Sequence, residues 1–250
     1  MPSIRLQLAA RSSRLAALAV LAAGLAGCQS IAGIQPLSEV RVIDVSPDSP
    51  ALDIYQNSGQ SSTAELYGIG FGTVSSYMPV AAGALTHVAY NAGTQQQLAS
   101  VHGNFVIGGQ YTVLVGNTAA SLQMTALKDH AYAAPAGQVA LRFLDQATHA
   151  GTVDLYLVPP RRSLSHVAPI DTGLSFTSNT GYIDAPAGAY SIVVVPAGTV
   201  PSSSTAPLYT GSRTSYASGS AHTIVLIDPR QPAARGLQVI SATDYDSANN

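Results

Sequence analysis

The chain has 250 residues, 11 Lys or Arg against 13 Asp or Glu, and a single cysteine. So few basic side chains cannot build the positive surface that nucleic acid or an anionic membrane demands. One cysteine permits neither an intramolecular disulfide nor a thiolate metal cluster. Two glutamates, Glu39 and Glu65, and one lysine, Lys128, leave little for exposed helices, whereas 22 Gly, 15 Pro and 12 Tyr suit short strands and frequent turns.

Arg5, Arg11 and Arg14 make a basic start without acidic residues, and Leu15 to Leu25 is an apolar run. Small residues and then Cys28 follow, which is the layout of a secretory signal peptide over residues 1–27. The run is shorter than the roughly 20 residues a bilayer span requires.

The tetrad Leu25-Ala26-Gly27-Cys28 resembles the lipobox of bacterial lipoproteins. The resemblance implies cleavage before Cys28, a diacylglycerol thioether on its sulfur, and fatty acyl chains such as palmitate. One acyl chain alone binds membranes marginally, while two or three hold firmly. A membrane lipid anchor at the cell envelope is therefore expected, with residues 28–38 as a tether. Gln29, where Asp would otherwise stand, resembles the pattern of lipoproteins sent to the outer membrane of a Gram-negative bacterium. The three leader arginines belong to the removed segment, so the mature chain keeps eight basic side chains against 13 acidic ones.

Beyond the tether the sequence repeats itself. A shift of 101 residues superposes "VRVIDVSPDSPALDIY" on "LRFLDQATHAGTVDLY", matching Arg41 with Arg142, Asp44 with Asp145, Asp53 with Asp154 and Tyr55 with Tyr156. A shift of 105 matches Phe71 with Phe176, Tyr77 with Tyr182 and Gly83 with Gly188. A shift of 111 matches "YTVLVG" with "HTIVLI", and one of 115 matches Asp129 with Asp244. Each slip falls in a Gly-, Pro-, Ser- or Gln-rich stretch, where loops absorb length changes. The sequence thus predicts tandem repeats at 39–130 and 139–246, a linker at 131–138 lying between halves set end to end, and a tail at 247–250.

Seven apolar or β-branched runs recur in each repeat. In the first they are 39–45, 51–56, 71–78, 85–91, 100–107, 110–116 and 121–127. In the second they are 139–145, 152–158, 174–183, 189–196, 207–216, 221–228 and 236–243. Turn residues bound each run, as they bound short strands. "SIVVVP" and "TIVLID" are continuous runs that suit the middle of a sheet. The expected fold is all-β, with two tandem β-sandwiches after a cleaved signal peptide; one larger continuous β structure is the alternative.

Ser46-Pro47-Asp48-Ser49-Pro50 and Pro186-Ala187-Gly188-Ala189-Tyr190, with the Val-Asp-x-Tyr strand at Val153 to Tyr156, resemble the DUF4397 domain of bacterial envelope proteins. The resemblance covers nearly all of 39–246 and implies an immunoglobulin-like or prealbumin-like sandwich. Asp44 and Asp145 depart from it, standing where many members carry His, and "QATHAG" replaces the Ser-Pro-Asp-x-Pro turn in the second repeat. The resemblance implies no reaction.

Candidate chemistry is sparse. Asp44, Asp48 and Asp53, with Asp145 and Asp154, supply oxygens for Ca²⁺ or, more simply, caps for local turns. Arg41 and Arg142 are expected in ion pairs with matched aspartates. The six histidines show no metal-ligand spacing, so no metal and no cofactor are expected. Ser165, His166 and Asp171 share a loop but lack a nucleophile elbow, so no catalytic residue is expected. Tyrosine offers the better binding lead, with Tyr77, Tyr182, Tyr209 and Tyr216 as candidates. The sequence points to a non-enzymatic structural or protein-interaction module of the envelope, with another envelope protein or a glycan as partner. A carbohydrate-binding module at the cell surface is the alternative.

Overall fold

The computed structural model describes residues 36–59, 61–230 and 236–245. Cys28 and its lipobox lie outside the described residues. Residues 37–250 cluster as one compact unit, and within it the strands form four sheets.

In the first half, β1 (Leu37–Asp44), β4 (Met78–Ala81), β7 (Gln110–Gly116) and β8 (Gln123–Lys128) make one sheet in the order β4-β1-β7-β8. A second sheet, β3-β2-β5-β6, joins β2 (Leu52–Ser58), β3 (Ser61–Ile69), β5 (Gly83–Asn91) and β6 (Gln97–Phe105). The second half repeats the scheme. β9 (Gln138–Asp145), β12 (Asn179–Pro186), β16 (Ala221–Ile227) and β17 (Gln238–Tyr245) pair in the order β12-β9-β16-β17. β10 (Val153–Val158), β11 (Asp171–Leu174) and β13 (Gly188–Pro196) pair with the short β14 (Tyr209–Thr210) and β15 (Thr214–Tyr216). The first strand of each half runs parallel to a late one, β1 with β7 and β9 with β16, while the other pairings are antiparallel.

Alternation along the strands builds two closed cores, because successive side chains leave a strand on opposite faces. Val40, Val42, Val113 and Val115 face Leu52, Ile54, Leu85 and Phe105 in the first sandwich. Leu141, Phe143, Ile224 and Leu226 face Leu155, Ile192 and Val194 in the second.

The intervening residues of the inner strands do not face solvent. Ile43, Val45 and Leu114 from the first half meet Leu144, Val225, Ile227 and Ala242 from the second in a third buried layer. The two inner sheets therefore face each other, and the halves are stacked side by side rather than set end to end. Each fully buried Val, Leu or Ile contributes roughly 1.5–3 kcal/mol before its ordering entropy is subtracted, so this layer holds the halves as firmly as a core does. The 131–138 linker joins the packing as well. Ala134 is buried against Ala140 and Ala221, and its N–H donates to the Gly219 carbonyl.

Several strand boundaries differ from the sequence expectation: the 174–183 run divides between β11 and β12, which lie in different sheets, and the 207–216 run between β14 and β15. β3 was not foreseen, because "SST" at its start offers no apolar face. The 71–78 run is mostly irregular, touching the sheet through one bridge between Val74 and Ile43 before β4 begins at Met78.

Candidate functional site

The buried polar residues come in matched sets, one from each half. Arg41 donates through Nε to Thr112 Oγ1 at 2.9 Å, through Nη1 to the Thr243 carbonyl at 2.8 Å, and through Nη2 to Asp244. Arg142 donates through Nε to Thr223 Oγ1 at 3.1 Å, through Nη1 to the Lys128 carbonyl at 3.0 Å, and through Nη2 to Asp129 at 2.5 Å. The ion pairs cross between the halves. Asp129 also accepts from Tyr77 and Thr112, and Asp244 from Tyr182 and Thr223. Each guanidinium lies over its own half's tyrosine ring, 4.9 Å from Tyr77 and 4.7 Å from Tyr182.

Burial alone would lower the Arg41 pKa, but Asp244 and Asp129 reverse that and hold it above its ordinary value. Burial, then the neighbouring aspartate, pushes the phenols of Tyr77 and Tyr182 well above theirs. Two cations and two anions balance, and every donor has an acceptor. The charges are buried and satisfied within the set, which acts as a structural clamp with the two tyrosines at its half-buried margin.

This decides most of the candidate tyrosines. Tyr77 and Tyr182 bond within the clamp. Tyr216 is 4% exposed in the second core, against which Tyr209 packs. The four form no common exposed patch.

The matched aspartates divide into two uses. Asp53 accepts from the N–H groups of Gly68 and Gly93, both at 2.8 Å, and Asp154 from those of Gly173 and Gly198, both at 2.9 Å. All four glycines have φ between 60° and 77°, a conformation costly for any residue with a Cβ. These carboxylates thus each tie a neighbouring strand, β3 or β11, to the turn that follows β5 or β13, a longer reach than the local turns expected of them. Asp44 and Asp145 each accept one local N–H, from Ser46 and Ala147, and leave Oδ2 without a partner. Burial pushes both up to about 6. No group of metal-ligating side chains occurs among the described residues.

Two loops carry exposed histidines. Ser163 and Ser165 both meet His166 Nδ1, at 2.8 and 3.3 Å, while no hydrogen bond joins Asp171 to that ring among the described residues. In a cleft of about 490 Å³ between the halves, Asp228 holds Thr148 and His149 opposite Asp48.

The outer sheets break the symmetry. In the second half, Tyr156 is 3% exposed on the outer face beside Val193 and Val195. Leu164 and Val167, from the 159–170 loop between β10 and β11, cover it. In the first half, β2 ends at Ser58 and β3 begins at Ser61, so that loop is missing. Tyr55, the match of Tyr156, stands open there with Tyr67 and Tyr90. The Tyr67 and Tyr90 rings sit 6.2 and 5.5 Å from the Tyr55 ring, each edge-on to it. Tyr67 is 69% exposed. A hydrogen bond donated to Tyr67 holds the Tyr55 phenol above its ordinary value. A register shift in the β2–β3 pairing makes this possible, turning Glu65 and Leu66 inward and Tyr67 outward.

The sequence reading missed this trio. Its signal was Tyr55 alternating with the core residues Leu52 and Ile54, but the covering loop in one half only was not visible there.

Residues 38–156 match the family model described as a domain of unknown function, DUF4397. The DUF4397 match runs from β1 into β10, taking in the whole first sandwich and the open tyrosine face. No curated protein matches the chain. Among solved structures, a leucine-rich repeat protein from Bacteroides thetaiotaomicron aligns at 12% identity over 78% of this chain and 26% of its own, with a TM-score of 0.22. The TIE protein of Bacillus anthracis aligns at 8% identity over 78% of this chain and 34% of its own, with a TM-score of 0.24. A streptococcal virulence factor described for alpha-glucan binding aligns at 12% identity over 78% and 95%, with a TM-score of 0.26. The chain spans about a third or less of the first two. These likenesses carry no functional argument.

Proposed function

We propose that the protein is a non-enzymatic interaction module of the cell envelope. It is held to a membrane, the outer membrane of a Gram-negative cell, by lipid on Cys28, and it presents the outer face of its first sandwich. We also read the two sandwiches as products of one internal duplication, on the strength of the matched strand order and matched polar sets.

The observation that carries this reading is the contrast between Tyr55 and Tyr156. The same sheet position is covered by the chain's own loop in one half and left open in the other. Exposed aromatic clusters mark interaction surfaces more often than scattered apolar residues do. The stacked, clamped halves support a rigid scaffold behind that face.

The test uses cells making the full chain. The wild type is expected in the membrane fraction, and Cys28→Ser in the soluble fraction or as unprocessed precursor. Surface cross-linking is expected to give an envelope adduct that Tyr67→Ala loses. Membrane retention of Cys28→Ser at the mature mass rules out the anchor, and an unchanged adduct pattern in Tyr67→Ala rules out the face.

A further inference from the structure

The open face has a particular chemistry. Strands β2, β3, β5 and β6 contain no lysine or arginine among their described residues. Their two carboxylates are turned away from solvent: Asp53 is 7% exposed and ties β3 to the turn after β5, and the Glu65 side chain is 6% exposed beside His87. What the face offers is three tyrosines ringed by neutral hydrogen-bonding side chains. Thr86 lies opposite Asn57, His102 opposite Thr86, and Ser100 opposite Val88.

A surface without exposed charge selects against ionic ligands, because a charged group docked there would be desolvated with no counter-charge. The acidic balance of the mature chain works against anionic polymers as well. The face carries no large aliphatic side chain of the kind that anchors an amphipathic helix. Phenol rings present a flat apolar face together with a hydroxyl that both donates and accepts. The matching ligand alternates C–H faces with hydroxyls and bears no charge.

We propose that the Tyr55–Tyr67–Tyr90 face binds a neutral polysaccharide. This rests on the reading of that face as the protein's interaction surface and names its occupant. The interplanar angles of 86° and 85° prevent the three rings from lying under one sugar. Each ring meets a different residue of a glycan chain, so the site takes an oligosaccharide rather than a monosaccharide.

The experiment is native affinity electrophoresis of the full chain in detergent, in gels containing dextran, soluble starch, mannan or β-glucan, with alginate as an anionic comparison. At least one neutral polymer is expected to retard the wild type, equally in about 0.5 M NaCl, where exposed charges are screened. Tyr67→Ala and Tyr55→Ala should each weaken retardation about tenfold, the equivalent of one lost aromatic contact. Tyr132→Ala, an exposed ring in the segment between the halves, should leave it unchanged. Circular dichroism confirms that the variants are folded, and Tyr67, being on the surface, keeps the test open if Tyr55→Ala unfolds. Retardation by alginate alone, by no polymer, or equally in Tyr67→Ala overturns the proposal. If no polymer binds while Tyr67→Ala still loses its envelope adduct, the face stands as an interaction surface and only the glycan falls. If neither changes, both readings fall.

Discussion

Arg41, in the first strand of the chain, is held by Asp244, in the last. Its counterpart Arg142 returns the arrangement by pairing with Asp129. The four residues are nearly inaccessible, so removing one leaves an uncompensated buried charge, at a cost of about 3–5 kcal/mol. Arg41→Met and Asp244→Asn should each lower stability by that order in urea unfolding, and the double variant by much less than their sum. Because the clamp and the apolar layer span both sandwiches, wild-type unfolding should be a single transition by circular dichroism and by tyrosine fluorescence. Two separated transitions would show that the halves do not depend on each other.

Asp44 and Asp145 should make stability depend on pH in the unusual direction. Their folded pKa of about 6 lies well above the ordinary aspartate value. Below about pH 4 both states are protonated and the groups cost nothing. As pH rises through about 6, the unfolded chain has already released its protons and the folded chain must ionise buried carboxylates. The favourable contribution is thus complete in acid and lost by neutral pH, about 3 kcal/mol per group at most. Asp44→Asn should therefore gain on the wild type at pH 7.5 and not at pH 4. A difference independent of pH would contradict the buried ionisation.

Among the described residues, Glu65 and His87 form a buried polar pair without a counterpart in the other half. Their positions in the strand pairing correspond to Ile170 and Ile192, which both pack on the second core. His87 is wholly buried with its Nε2 3.3 Å from Glu65, and its ring packs edge-on against Phe105. A buried polar pair whose side-chain atoms make no hydrogen bond seldom outperforms a packed apolar pair, whereas a lone buried polar group is costly. The single variants Glu65→Ile and His87→Ile should each lose about 2–4 kcal/mol, and the double variant should match or exceed the wild type. Differential scanning calorimetry of the four proteins at one pH decides it.

The sequence carried the sheets well where period and composition agreed. "TIVLID" read as a mid-sheet run, and β16 is buried on both faces, by the second core and by the layer between halves. Arg41, Tyr77, Thr112 and Asp129 each had a match at the expected shift, so the members of the clamp were visible. Their crossing was not, because a repeat gives equivalence of position and says nothing about which copy supplies the partner. Tyr55 and Tyr156 were likewise equivalent in sequence. Their opposite fates follow from whether Leu164 and Val167 fold over the ring, a matter of loop conformation that no periodicity encodes. β3 escaped because its start is polar and its register shift turns Glu65 and Leu66 inward together, which breaks the period of two that marks a strand.

Asp53 joins that edge to the rest of the molecule, and through it the open face. Its two oxygens hold the N–H of Gly68, next to Tyr67, and of Gly93, in the turn after β5. Hydrogen bonds to a charged acceptor are worth about 1.5–3 kcal/mol each. Asp53→Ala should accordingly cost about 2–4 kcal/mol in urea unfolding and raise amide exchange at Gly68 and Gly93 well above the rest of the sheet. Asp154→Ala should do the same at Gly173 and Gly198, leaving the first half unaffected in its exchange pattern. Only the first substitution should also weaken whatever the tyrosine face binds, since it frees Tyr67 from its fixed angle to Tyr55. Equal loss of binding from both variants would mean that the face depends on global stability and not on this local tie.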